Sequence, residues 1–309
     1  VEIADPQSFR DELYLKMSEL GVFGRIYVAN EGINAQISVP EPTMQDFTDF
    51  CRQHSLLQGI LLNKAIEDDG LSFYKLKILV KHKVLSDGLI NSEFDIYNVG
   101  THLDALSYHR KMEEPNTVVV DLRNHYEHEV GHFEGAILPD VDTYKASIPI
   151  IVEMLEKKKP DNVMLYCTGG IRCEKFSAYL KYKGFENVFQ LKGGVINYAH
   201  QVKMEGLKPK SIGKNFVFDD RMGERITEDV IGRCHQCGKP ADTHVNCAND
   251  ACHVLFIQCA DCAERYARCC SDECKETNTL PVETQKLLRK GKVHANAHHK
   301  SKFREHVEH

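Results

Sequence analysis

No stretch of this 309-residue chain is apolar over enough length to cross a bilayer, so a helical membrane span is excluded. An excess of positive charge is also missing: 39 Lys and Arg stand against 45 Asp and Glu, a net charge of −6. That argues against a protein that coats nucleic acid non-specifically. A local basic patch stays open, because phosphate binding needs clustered charge rather than a high total. Cysteine is sparse for most of the chain. Of twelve, only Cys51, Cys167 and Cys173 precede Cys234, and the other nine crowd between Cys234 and Cys274. Extracellular disulfide proteins are usually smaller and spread their cysteines. Crowded cysteines with CxxC spacing fit metal binding in a reducing compartment, so a cytoplasmic location is expected. No Gly-rich dinucleotide fingerprint is present, so no flavin or nicotinamide site is expected. There is no internal repeat. The first residue is Val1 rather than Met, so it is not expected to be the natural start. The lack of a signal peptide therefore weighs little on location.

What is present points to two or three soluble, globular domains: 42% of residues are apolar and 27% charged. Residues 1–85 read as a small α+β unit. Asp5 and Pro6 cap a helix carrying Phe9, Leu13, Met17 and Leu20, stopped by Gly21. Strands follow at Arg25 to Ala29 and Ile33 to Val39 around an Asn30-Glu31-Gly32 turn, with Ile33, Ala35, Ile37 and Val39 alternating as one buried face. A helix after Pro42 and a strand from Ser72 to Val80 complete the order α-β-β-α-β, a ferredoxin-like unit lacking its first strand. Residues 86–114 read as a connecting segment with a weak helical pattern near Leu103 and Leu106. In residues 115–207, short apolar strands at Val118–Asp121, Val163–Tyr166 and Val188–Leu191 alternate with helices at Ile150–Lys158 and Glu174–Lys183. That rhythm implies an α/β domain with a parallel sheet. Residues 208–280 lose the rhythm and form a Cys-rich module that needs a staple to hold it. Residues 281–309 are a polar tail, with seven Lys or Arg and no acid between Gln285 and Arg304.

The loop Cys167-Thr168-Gly169-Gly170-Ile171-Arg172-Cys173 carries the chemistry. It lies between a buried strand and a helix, where ligands bind in doubly wound sheets. The helix start aims free N–H groups at the loop, the glycines let the backbone curl, and Arg172 adds charge. Together these favour a Cys167 thiolate and stabilise a persulfide or oxyanion on its sulfur. The alternative is a buried structural cysteine in a strand–helix turn. Cys173 is placed to resolve an oxidised or persulfidated Cys167 by disulfide formation, or only to pack in the first helical turn. His125 and Glu127 with His128 or His132 have the composition of a two-His-one-carboxylate iron site, although residues of such a segment more often orient loops.

The run from Cys167 to Arg172, with Gly170 between, resembles the rhodanese loop Cys-x-x-Gly-x-Arg. Val120-Asp121-Leu122-Arg123, followed by Gly131-His132-Phe133-Glu134-Gly135-Ala136, resembles the second rhodanese motif. Four residues separate Cys167 from Arg172, as in sulfurtransferases, where related phosphatases have five. The resemblance extends to one family, the tRNA uridine hydroxylases. It is carried by Tyr166 to Lys175, Asn30-Glu31-Gly32-Ile33-Asn34, Arg123-Asn124-His125-Tyr126-Glu127, Gly213-Lys214-Asn215-Phe216-Val217-Phe218 and Cys234-His235-Gln236-Cys237. It covers nearly the whole chain. It implies oxygen-dependent 5-hydroxylation of the tRNA wobble uridine, with Cys167 catalytic, molecular oxygen as cosubstrate and an unidentified electron donor as partner.

Four close cysteine groups, Cys234/Cys237, Cys247/Cys252, Cys259/Cys262 and Cys269 or Cys270/Cys274, have zinc spacing. Pairs one and three, then two and four, can hold two structural ions in an interleaved arrangement. His235, His244 and His253 are substitute ligands, and free thiols or disulfides are the alternative. The module reads as a platform for tRNA, with Lys203, Lys208, Lys210 and Lys214 before it and the basic tail after it. Such a tail is also what a simply solvated segment looks like. The expected class is thus α/β: a rhodanese-like parallel-sheet domain between an N-terminal ferredoxin/acylphosphatase-like unit and a Cys-rich module. Two rival functions stand beside hydroxylation. One is a sulfurtransferase carrying a persulfide on Cys167; the other is a non-catalytic tRNA-binding or scaffold protein.

Overall fold

The structure is a computed structural model that describes residues 2–66, 70 and 72–290. The N-terminal unit follows the expected order. Helix α1 (Pro6–Glu19) starts where the Asp5 carboxylate accepts the N–H groups of Gln7 and Ser8, and it buries Phe9, Leu13 and Met17 at four-residue spacing. Strands β1 (Phe23–Ala29) and β2 (Gly32–Ser38) form an antiparallel hairpin, helix α2 (Met44–Gln53) follows, and β3 (Leu76–Val80) lies parallel to β1. The third strand starts at Leu76 rather than Ser72. The expected one-face burial of β2 is incomplete: it is an edge strand, Ala35 is exposed, and only Ile33, Ile37 and Val39 lean on the core.

The central domain is built on a parallel sheet of order β4-β8-β7-β5, namely β4 (Thr101–Leu103), β8 (Val188–Leu191), β7 (Asn162–Tyr166) and β5 (Thr117–Asp121). Both faces are covered, which explains the continuous apolar runs. On β7, Val163 and Leu165 meet one core, shared with α5 (Tyr144–Lys158) and α6 (Ile171–Tyr182). Met164 and Tyr166 meet the other, shared with α3 (Ala105–Lys111) and α7 (Gly194–Met204). The segment read as a connector, 86–114, thus supplies an edge strand and a covering helix. Three strand residues are too few to show a period in sequence. Helix α5 begins at Tyr144, six residues before the expected start, because the Thr143 hydroxyl caps it and the helix runs through Pro149.

Between β5 and α5 lie α4 (His125–His128) and β6 (Gly131–Phe133), the latter pairing with β9 (Ser211–Asn215), which pairs with β10 (Glu224–Arg225). Buried Arg123 joins these pieces. It grips Asp121 at 2.8 and 3.0 Å, the Gly131 carbonyl at 2.6 Å and Asn215 Oδ1 at 3.3 Å. The Cys-rich module holds one hairpin, β11 (His244–Asn246) with β12 (Leu255–Ile257), and the short helices α8 (Ala260–Arg265) and α9 (Asp272–Thr279). The polar tail begins as a helix, α10 (Val282–Arg289); its basic stretch from 291 to 309 lies outside the described residues. No described helix is long and apolar enough to cross a membrane.

Candidate active site and metal centres

Cys167 sits at the carboxyl end of β7, fully buried, at the turn into α6. Gly170, at φ +101°, reverses the backbone so that its N–H points back at Cys167 Sγ, 3.1 Å away. Burial pushes the Cys167 thiol up. A hydrogen bond from the Cys173 thiol, the Arg172 charge and the N–H groups of Arg172 and Gly170 outweigh it and bring the pKa down to about 6. Cys173, also fully buried, is pushed well above the ordinary thiol range by burial and by the neighbouring Cys167. The pair therefore divides into one thiolate and one thiol donor.

Arg172 does not face the sulfur alone. Its guanidinium is clamped by Glu127, which accepts at 2.6 and 2.7 Å, and the Thr168 hydroxyl donates to the same carboxylate at 3.3 Å. Glu127 is fully buried on α4, and it also accepts from the Asn124 N–H at 2.8 Å, part of a capping box. Both Glu127 oxygens are thereby taken. His128 Nε2 donates to the Pro139 carbonyl, and His132 Nδ1 to the His128 carbonyl. Among the described residues only cysteine sets gather three or more potential metal ligands, so His125, Glu127, His128 and His132 do not come together as an iron ligand set. Glu127 is the residue that sequence reasoning under-read. It lies forty positions from Cys167, and no local pattern links the two.

The turn after β8 supports the loop from beneath. Val195 N–H donates to the Cys167 carbonyl at 3.0 Å, and Ile196 N–H to the Thr168 carbonyl at 3.3 Å. Gly169 and Ile171 are half-buried on the loop's outer side. Lys175, one turn into α6, is buried and paired with Glu31 at 2.8 Å and Asp87 at 2.7 Å, which ties the Asn30 to Asn34 turn to the reactive helix.

Eight cysteines assemble into two sets, Cys234, Cys237, Cys259 and Cys262, then Cys247, Cys252, Cys270 and Cys274, each with its sulfurs within 4.8 Å of one another. The interleaving is that of pairs one with three and two with four. Sulfur separations of 3.6 Å for Cys237–Cys259, Cys252–Cys270 and Cys270–Cys274 are close to the edge of a tetrahedron with metal–sulfur bonds of about 2.3 Å. The sets can therefore each hold a metal ion. Cys269 is buried beside the second set but outside it. Of the four lysines before the module, Lys203 and Lys208 are exposed, whereas Lys210 pairs with Glu113 at 2.7 Å and Lys214 with Asp242 at 3.0 Å. The basic patch is smaller than the sequence suggests, because acids distant in the chain fold onto it.

Three family descriptions match along the chain: "UPF0176 acylphosphatase like domain" at 1–84, "Rhodanese-like domain" at 104–201 and "Rhodanase C-terminal" at 212–275. A protein of Yersinia enterocolitica named tRNA uridine(34) hydroxylase is 52% identical over 291 residues, covering 94% of this chain and 83% of that protein. The chain belongs to the tRNA uridine(34) hydroxylase family. An Enterobacter relative of the same name is 49% identical over 295 residues, covering 95% of this chain and 84% of its own. A solved rhodanese-like domain from Anabaena is 23% identical, at a TM-score of 0.29, over 37% of this chain and 80% of that one. Within this family the parallel sheet carries the rhodanese portion, and the Cys167 loop lies inside the matched 104–201 segment.

Proposed function

We propose that this chain hydroxylates carbon 5 of the uridine at position 34 of tRNA, with Cys167 as the essential reactive group. The observation that carries the reading is the buried Cys167 thiolate, pKa about 6, cradled by N–H groups at a helix start, in a chain about half identical to hydroxylases over nearly its full length. In this reading molecular oxygen is the cosubstrate. One oxygen atom enters the base and the other leaves as water, which takes two electrons and two protons, so a separate electron donor is a partner. Arg172 holds the loop charge-balanced through Glu127, and Cys173 keeps Cys167 ionised and stands in contact for disulfide formation. The two cysteine sets take zinc, which is tetrahedral and redox-silent with four thiolates and staples a module too small to fold on apolar burial alone. The site of action is the cytoplasm, and exposed Lys203 and Lys208 with the basic tail contribute to tRNA contact.

The test is mass spectrometry of tRNA nucleosides from cells lacking the protein, complemented with wild type or Cys167→Ser. Return of 5-hydroxyuridine and its derivatives with wild type alone supports the proposal. Nucleosides that never depended on the protein overturn it and leave a persulfide-carrying sulfurtransferase as the reading. Restoration by Cys167→Ser overturns both enzyme readings.

A further inference from the structure

The segment that leaves the N-terminal unit touches the Cys167 loop at Gly169. Asn63 Nδ2 donates to the Gly169 carbonyl at 3.2 Å. A Cβ built on Gly193 would stand 2.7 Å from Asn63 Oδ1. The Asn63 amide therefore lies between two glycine turns: the one that carries Cys167 and the one that holds the Cys167 and Thr168 carbonyls from below. The backbone around it is tied down. His200 Nε2 donates to the Lys64 and Ala65 carbonyls at 2.9 and 3.1 Å. The Ile66 N–H donates at 3.0 Å to Glu224, a fully buried carboxylate that also pairs with Arg221 at 2.6 Å. Residues 64–66 are thus anchored to the rhodanese side, while the Asn63 side chain itself is exposed.

An amide in this position has defined polarity. Gly169 offers an acceptor, so Nδ2 must face it and Oδ1 must face away. The second Nδ2 hydrogen and Oδ1 have no partner among the described residues, and they form a donor–acceptor pair side by side. Uracil presents the complement on its pairing edge: N3–H donates and the adjacent O4 accepts. Cytosine in the same orientation presents the reverse, an acceptor at N3 beside a donor at N4. A flipped amide would match cytosine, but flipping sets Oδ1 against the Gly169 carbonyl. A base taken out of its stack and read on this edge keeps its carbon 5–carbon 6 edge uncovered.

We infer that Asn63 is a base-reading residue, which selects uracil by two hydrogen bonds to its N3–H and O4 with the amide orientation set by Gly169. This rests on the tRNA hydroxylase reading above and adds to it the group that distinguishes uridine from cytidine.

The experiment is fluorescence anisotropy of the full chain with two anticodon stem-loops that differ only in uridine or cytidine at position 34. Wild type, Asn63→Asp and Asn63→Ala are compared. Wild type should prefer the uridine stem-loop by roughly ten- to a hundred-fold, the discrimination that one good bidentate base contact supplies. Both variants should lose that preference while their affinity for the cytidine stem-loop stays where it was. A preference kept by both variants overturns the inference, and so does a wild type that does not discriminate. Equal loss of affinity for both stem-loops also overturns it, because a segment that merely holds the fold behaves that way. The nucleoside analysis decides the underlying reading separately. If wild type restores 5-hydroxyuridine yet the variants still discriminate, only the role of Asn63 falls; if wild type restores nothing, the hydroxylase reading falls first.

Discussion

At Cys167, burial and charge pull in opposite directions, and the charge side wins. The thiol is fully buried, which alone would raise its pKa, yet it ends near 6 because the Cys173 thiol, Arg172 and two backbone N–H groups all favour the anion. A folded pKa below the unfolded one means that the thiolate's contribution to stability is complete above the unfolded value and is lost as pH falls to about 6. Wild type should therefore gain stability over Cys167→Ala as pH rises from 6 to 9, by at most about 1.4 kcal/mol per pH unit. Urea melts at several pH values check this; parallel curves for the two proteins would mean that Cys167 is not ionised. Glu127 is the second decisive residue. Glu127→Gln leaves the buried Arg172 guanidinium without its counter-charge and should cost about 3–5 kcal/mol, read from the urea midpoint. A loss below about 1 kcal/mol would show that Arg172 finds solvent instead.

At the scale of elements, two glycine turns shape the loop, and they are not equivalent. Gly170 needs its left-handed φ of +101°, but a Cβ there would meet only the Gly193 and Gly194 N atoms at 3.8 and 3.9 Å, ordinary contact distances. Gly194 also has positive φ, +64°, and a Cβ there would stand 2.4 Å from the Thr168 carbonyl oxygen and 2.5 Å from that of Cys167. Gly170→Ala should therefore cost only the backbone strain, about 1–2 kcal/mol. Gly194→Ala must push the reactive loop off its support, so it should lower tRNA hydroxylation in complemented cells further than Gly170→Ala does. Equal residual activity in the two variants would argue that the turn after β8 does not position Cys167. Parts of this element layer were legible beforehand. β7, β8 and α6 follow from largely apolar runs ended by glycine-containing turns, because both sheet faces are covered and most strand residues are apolar, buried Asn162 and Gln190 being the exceptions. β4 and the start of α5 were not legible: three residues hold no period, and Pro149 hid a helix that Thr143 caps.

For the molecule as a whole, the central domain is gripped from both sides. The N-terminal turn reaches α6 through Glu31 and Lys175, the segment at Asn63 touches the preceding loop at Gly169, and Arg123 ties β9 to Asp121 at the end of β5. The Cys-rich module adds no large core; its buried apolar side chains form small clusters around the cysteines. Metal removal should thus act locally. With a strong chelator, hydrogen exchange should accelerate across residues 232–275, while the central strands β5, β7 and β8 keep their protection. Unchanged exchange in the module after complete metal loss would show that its cysteines hold together without an ion.

The place of the loop from Cys167 to Cys173 between a buried strand and a helix, and the interleaved grouping of the four cysteine pairs, could be read from the sequence alone, because both depend on residues a few positions apart. So could the alternation of strands and helices, which follows from local burial. Only the tertiary structure decided how the charges are partnered. It brought Glu127 onto Arg172 across 45 positions, Glu31 and Asp87 onto Lys175, acids onto Lys210 and Lys214, and Asn63 onto Gly169 across 106. Such pairs leave no periodic trace, since a polar contact between distant segments is set by how the sheet, helices and turns pack and not by spacing along the chain.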